Sequence, residues 1–311
     1  PAAENLASAV GCAPDELDEW LGNHLYAVEP LRADAWQEGK PQHCQDEFGV
    51  VWNRTVDPDI GIVEEYQLSE RSLKGYKFPD PDDPLRWETF ESRLEAKGDR
   101  YAVCSIGFSL FERAWTLRGM TNLLIDMIDA PEFVDQLLDM ICEYNIRLVE
   151  HAVHYEIDGV YFGDDWGQQR GLIMGPRLWR RFIAPRVVRM YGAVKRHGKH
   201  VFIHSCGDVD ELFPDLLEAG LDVFNPFQPE VMDVYAVKNM FGDRLTFLGG
   251  MSIQRVMPFG TTDDVREEAC RLMRNIGAGG GYILAPSHDI PKDVPVKNIL
   301  ALVQVARDEQ A

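Results

Sequence analysis

The sequence predicts an α/β fold, a parallel (β/α) barrel, and three observations predict it. From about residue 100 onward, short apolar runs bounded by Gly or Asp alternate with long amphipathic segments, the repeating order that produces a parallel sheet with right-handed crossovers. The apolar runs are near-continuous, as expected of parallel strands covered on both faces. No G-x-G-x-x-G turn follows an early strand, so the signature of the open dinucleotide-binding sheet is missing and the barrel is the better reading.

In chain order, the first hundred residues stand apart. Residues 45–54 (QDEFGVVWNR) read as an antiparallel strand, and 55–100 as an acidic excursion punctuated by Pro58, Pro79, Pro81 and Pro84, with one helix around 85–97. They form an N-terminal cap and loop layer over one barrel mouth, so a single domain, 1–311, divides into a 1–100 cap and a 101–311 main barrel. No barrel strand is recognisable in the cap; the first strand is hidden there or lies upstream, in a natural protein longer than this sequence, which does not begin with Met.

The first clear strand is 101–106 (YAVCSI), with Cys104 as a core thiol. Phe111 to Trp115 then open a helix. Pro131 fits the first position of a long helix ending near Tyr155, where His151 and His154 interact favourably with the helix C-terminus. Strand 158–163 follows, then a helix from Pro176 to His197 closed by Gly198. After strand 200–204, Asp208 or Asp210 is placed to cap a helix stopping at Gly220. Strands 222–226 and 245–249 precede a helix capped by Thr261 or Thr262 and ended by Gly277. The GAGGG run at 277–281 connects that helix to strand 281–285.

Composition excludes whole classes of function. The 311 residues are 45% hydrophobic and 26% charged, too apolar for disorder, and the net charge of −20 repels phosphate backbones and anionic membranes. No charge-free stretch approaches the roughly 18 residues that span a bilayer, and the N-terminus lacks the features of a signal peptide. Six scattered cysteines fit reduced thiols better than a disulfide framework. The expectation is a cytoplasmic protein that binds neither nucleic acid nor membrane.

The strongest local signal is His204-Ser205-Cys206-Gly207-Asp208 at a strand end. Side chains two apart in extended chain point the same way, which puts imidazole and thiolate, ligand types that zinc selects, on one face. In a parallel barrel the chemistry gathers where strands end. Three other polar clusters fall there: Asp164-Asp165-Trp166, Asn225 with Gln228, and Ser287-His288-Asp289. Asp164 and Asp165 can act as general base, fourth zinc ligand or substrate clamp; the plainer alternative is a solvated loop with a helix cap. Asn225 and Gln228 can bind a substrate hydroxyl or carboxyl, or only brace the loop. Arg113 can meet a substrate carboxylate or sit in an ordinary salt bridge. Trp166, Phe227 and Phe108 can wall an aromatic pocket.

These residues carry a family resemblance. The runs GVYFGDDWGQQRGLIMGP, GKHVFIHSCGDVDELFPDLLEAGLDVFNPFQP, FLGGMS and YILAPSHDIPKDVPVKNI, with residues 45–54, resemble the uroporphyrinogen decarboxylase-like superfamily, and within it the corrinoid-dependent methyltransferase branch. The resemblance implies a (β/α)8 TIM barrel. In those methyltransferases a His-x-Cys pair and a later Cys, in a stretch like L-S-P-G-C, bind zinc. His204 and Cys206 match the pair, and His288 stands where the third Cys is expected, which leaves a His2Cys set with an open fourth position. The decarboxylases' R-Q-A-G-R and F-S-D segments are absent. The resemblance thus implies a zinc-dependent methyltransferase that takes a methyl group from a methoxylated small molecule, the methyl donor, and passes it to a corrinoid on a separate partner protein. With a net charge of −20, the chain would dock such a carrier through a local patch, unless the carrier is basic. The alternatives are a metal-independent decarboxylating lyase depending on Arg113 or Arg170, and a non-catalytic tetrapyrrole- or corrinoid-binding protein.

Overall fold

The computed structural model describes residues 2–36, 42–56 and 60–308; Pro1 and Pro58 lie outside the described residues. Seven strands follow one another in the sheet as they do in sequence: β1 (Leu25–Val28), β2 (Tyr101–Ile106), β3 (Gly159–Gly163), β4 (His200–His204), β5 (Val223–Phe227), β6 (Thr246–Met251) and β7 (Tyr282–Pro286). β2 and β3 pair in parallel, as do β4, β5, β6 and β7 in succession. This is the α/β barrel class the sequence predicts, and its six recognised strands are present within two residues at either end. Seven of the helices matter below: α1 (Ala2–Val10), α2 (Phe111–Arg118), α3 (Pro131–Ala152), α4 (Ala184–Lys195), α5 (Phe213–Ala219), α6 (Thr262–Asn275) and α7 (Val296–Asp308).

The chain forms two compact units, each assembled from separated segments. The first comprises Pro1–Tyr26, Trp166–Ile173 and Phe202–Ala311. Its core is aromatic: Phe213 meets Phe224, Phe241 and Phe247 edge-on, and Phe227 stacks on Phe247 with ring centroids 4.3 Å apart. All five residues of β5 are buried. Thr261 caps α6 in a reciprocal box with Asp264, and α7 packs against α1.

The second unit comprises Ala27–Asp165 and Met174–Val201. Here α3 packs on α4, and the cap is a four-stranded antiparallel sheet of Ala35–Trp36, His43–Gln45, Val51–Asn53 and Ile62–Glu65. Cys104 is fully buried in β2, and burial pushes its thiol pKa up.

Several expectations are corrected. The first strand is present in the chain as β1. Its run, Leu25–Val28, is apolar but only four residues long, shorter than the other six strands of the sheet. Residues 45–54 hold a turn rather than one strand: Asp46 accepts hydrogen bonds from the Phe48 and Val50 amides, and Gly49 takes a left-handed φ of 82°. The segment after Pro176 is Gly175–Leu178, a π turn at Trp179–Ile183, then α4; Pro185 lacks the N–H that would continue the regular ladder. Neither Asp208 nor Asp210 caps α5. A 3₁₀ turn, Asp210–Leu212, precedes it and Leu212 is its N-cap, although Gly220 ends it in the left-handed region as expected.

Candidate metal centre

The first unit brings together the residues that the H-x-C motif singled out. His204 ends β4, Cys206 follows two residues on, and His288 follows β7. One ligand atom from each lies within 4.8 Å of the other two. The tightest edge is Cys206 Sγ to His204 Nε2, at 3.4 Å. A tetrahedral zinc with its usual Zn–S and Zn–N bonds of about 2.3 and 2.0–2.1 Å has an S···N edge of about 3.5 Å, so this pair already stands at coordination spacing. Two nitrogens and one sulfur are a donor set that zinc accepts, and the residues present fit the metal.

Neighbouring groups decide which atoms are available. Asn225 accepts a hydrogen bond from His204 Nδ1 at 2.6 Å, and its own amide donates to the Leu248 carbonyl at 3.0 Å. That second bond fixes which end of the amide faces the ring. The His204 proton is thereby held on Nδ1 and the Nε2 lone pair faces Cys206. On His288, Nδ1 accepts from the Asp289 amide at 2.8 Å. Coordination through either nitrogen of His288 displaces this bond, because Nδ1 must then either give up its lone pair or carry the proton.

Backbone holds Cys206 in place. The Gly167 amide donates to the Cys206 carbonyl at 3.1 Å, and the Asp208 amide donates to Gln168 at 2.9 Å. A Cβ on Gly207 would lie 2.3 Å from the Gly167 carbonyl carbon, and Gly207 has φ 87°, so both packing and conformation call for glycine. Gln228 Oε1 accepts from the Gly207 amide at 2.8 Å. Trp166 is buried and its backbone N–H donates to Ser205 Oγ; Phe227 is fully buried against Phe247. Both aromatic rings belong to the packed interior.

The other predicted residues lie in the second unit. Asp164 accepts from three successive amides at the start of α2, those of Leu110, Phe111 and Glu112, at 3.2, 3.0 and 2.8 Å. It anchors a helix N-terminus, whose partial positive charge suits a carboxylate. The Asp165 amide in turn donates to the Glu112 carboxyl. Burial first, then the charges of Asp165 and Asp164, push the Glu112 pKa well above the usual carboxylate range. Arg113 is nearly buried, 2.7 Å from Asp46 and with its guanidinium 4.0 Å over the Phe48 ring. Phe108 lies edge-on to Trp52 and Trp115, with a positive φ of 49°.

Sequence reasoning missed Glu230 and Ser252 in the first unit, and it named Ser287 only as part of a polar cluster, with no role of its own. Ser252, just past β6, donates to Glu230 Oε1, while Glu230 Oε2 and the Ser287 hydroxyl are buried without a hydrogen-bond partner. Their one visible signal was position, immediately after strands β5, β6 and β7.

Comparison with known proteins gives the family and the fold. A family model described as "Uroporphyrinogen decarboxylase (URO-D)" matches residues 60–309. Methylated-thiol–coenzyme M methyltransferase of Methanosarcina mazei is 23% identical over 204 residues, 64% of this chain and 51% of that protein. Uroporphyrinogen decarboxylase of Psychromonas ingrahamii is 22% identical over 236 residues, 71% of this chain and 63% of that protein. The chain thus spans about half the length of the first relative and under two thirds of the second. The solved structure of a methyltransferase from Methanosarcina mazei superposes with a TM-score of 0.74 at 19% identity, covering 99% of this chain and 91% of that one, and shares the fold. No helix among the described residues is long and apolar enough to cross a membrane. With its family model matched from residue 60 to residue 309, the chain belongs to the uroporphyrinogen decarboxylase family.

Proposed function

We propose that the protein is a zinc-dependent methyltransferase, with the metal held by His204, Cys206 and His288, that removes a methyl group from a methoxylated small molecule and passes it to the corrinoid of a separate carrier protein in the cytoplasm. The observation that carries this reading is the 3.4 Å spacing of Cys206 Sγ and His204 Nε2, with His288 completing the set within 4.8 Å. A methyltransferase among the relatives supports it. Further support comes from Arg113, one of the two arginines on which the decarboxylase reading could depend, which already pairs with Asp46 at 2.7 Å.

Bound there, zinc would supply a Lewis acid that stabilises negative charge growing on the oxygen the methyl group leaves. The protein's own contribution is positional. Asn225 keeps the lone pair of His204 aimed inward, Gln228 and Gly167 hold the Cys206–Gly207 backbone, and the buried rings around β5 keep the floor of the site rigid. Three protein ligands leave a fourth position for substrate, which is the catalytic rather than the structural pattern.

Elemental analysis tests the metal and methyl transfer tests the reaction. Wild-type protein is expected to carry one zinc per chain, and Cys206→Ala to lose both zinc and methyl transfer. Full methyl transfer by zinc-free Cys206→Ala would sink the assignment. Release of carbon dioxide from a carboxylated substrate by chelator-treated protein would replace it with the lyase reading.

A further inference from the structure

The most informative unclaimed group in the first unit is the carboxylate of Glu230. It lies three residues beyond the end of β5, and two residues beyond Gln228, whose side chain grips the amide next to Cys206. Ser252 is almost fully buried, and its hydroxyl proton goes to Glu230 Oε1, while its oxygen accepts from the Arg255 amide at 3.0 Å and the Val256 amide at 3.4 Å. Every bonding direction of Ser252 is thereby used, and Glu230 Oε1 is fixed by a rigid donor. Oε2 of the same carboxylate is buried with no partner.

A second orphan lies at the neighbouring strand end. β6 and β7 are in parallel register with Met251 opposite Pro286, and the Ser287 amide donates to the Met251 carbonyl at 2.8 Å. Ser252 and Ser287 are therefore the next neighbours at two adjacent strand ends. Ser287 has no solvent exposure, and its hydroxyl has no hydrogen-bond partner. Its chain neighbour is His288 of the metal set. A buried carboxylate oxygen and a buried hydroxyl left unmet both keep the penalty of leaving water, and the charged group more so. Among the described residues no Lys, Arg or His pairs with Glu230.

We propose that Glu230, oriented by Ser252 and flanked by Ser287, forms a polar subsite next to His288 that receives a hydrogen-bond-donating group of the methyl donor, a hydroxyl or an ammonium. The reading rests on the methyl-donor function proposed above and adds a specificity element to it. Donors with such a group near the methylated oxygen satisfy Oε2; donors without one leave it orphaned. Discrimination of this kind is strong because the penalty falls on the wrong ligand.

Three probes of one skeleton test it: 2-methoxyethanol, 2-methoxyethylamine and 1,2-dimethoxyethane, titrated into wild type, Glu230→Gln and Ser252→Ala by ligand-observed NMR, with zinc content and melting temperature measured in parallel. Wild type is expected to bind the alcohol or the amine at least about tenfold more tightly than the diether, as one hydrogen bond to a buried carboxylate implies. The stronger of the two identifies the group. Glu230→Gln, which keeps the shape, is expected to abolish any preference for the amine and shrink that for the alcohol. Ser252→Ala should weaken the preference in the same direction. Equal binding of all three probes to wild type, or an undiminished preference in folded Glu230→Gln, overturns the subsite. A Glu230-dependent preference in protein that never holds zinc would instead uphold the subsite and overturn the metal reading alone.

Discussion

At the scale of single residues, the site is organised by groups that would not themselves bind metal. Asn225 was expected at the substrate and is found bonded to His204 Nδ1 at 2.6 Å, a placement that only the spatial pairing of β4 with β5, His204 opposite Asn225, makes possible. Asn225→Ala should lower zinc affinity by about 10–100-fold, the usual cost of losing such an outer partner, with the fold intact. Competition titration against a chelator measures it, and unchanged affinity would refute the role. Glu112 supplies a second test. Its folded-state pKa is raised, so below the ordinary carboxylate pKa folded and unfolded chains are both protonated and the group is neutral to stability. As pH rises past that value, the unfolded chain ionises first and the folded state is penalised. Glu112→Gln is therefore expected to raise the melting temperature at pH 7 and to leave it unchanged near pH 3.5; a pH series of thermal melts decides. The His204, Cys206 and His288 cluster could be read from H-x-C at a strand end and from the polar residues after the last strand, because spacing and position carry it. Glu230 and the helix that Asp164 anchors could not, because they depend on which amides and hydroxyls come together in space.

At the scale of elements, what the chain revealed about itself followed the length of the apolar run. Strands β2 to β7 are apolar runs and were recognised; β1, short and half-exposed, was not. Helix starts were predictable where a side chain caps alone, as Thr261 does, and mistaken where a 3₁₀ turn intervenes, as at Asp210–Leu212. The loop after β4 rests on a contact between two backbones, Gly207 against Gly167, which no periodicity reports. Gly207→Ala places a methyl group into that contact and a side chain at φ 87°, for which about 1–3 kcal/mol of strain is expected. The displaced segment includes Cys206, so zinc affinity should fall together with the melting temperature. Loss of stability with metal binding unchanged would show that the loop yields elsewhere.

At the scale of the whole molecule, identities of 19–23% coexist with a shared fold, because the buried positions of strands and helices constrain residue type loosely while strand-end loops are free to change their chemistry. His288, in the place where the family resemblance led one to expect cysteine, is such a change. The segmented construction of the two units has a consequence in time. A ribosome making this chain completes the residues of the second unit at Val201, whereas the first still awaits α7, which packs on α1 from the opposite end of the sequence. His288 emerges late, so nascent chains carry His204 and Cys206 for many codons before the third ligand exists. Ribosome-bound chains long enough for Val201 to clear the exit tunnel should protect the second unit from protease but retain no zinc, and those long enough for Asp308 to clear it should do both. The metal, on this schedule, is captured only after the second unit has been made.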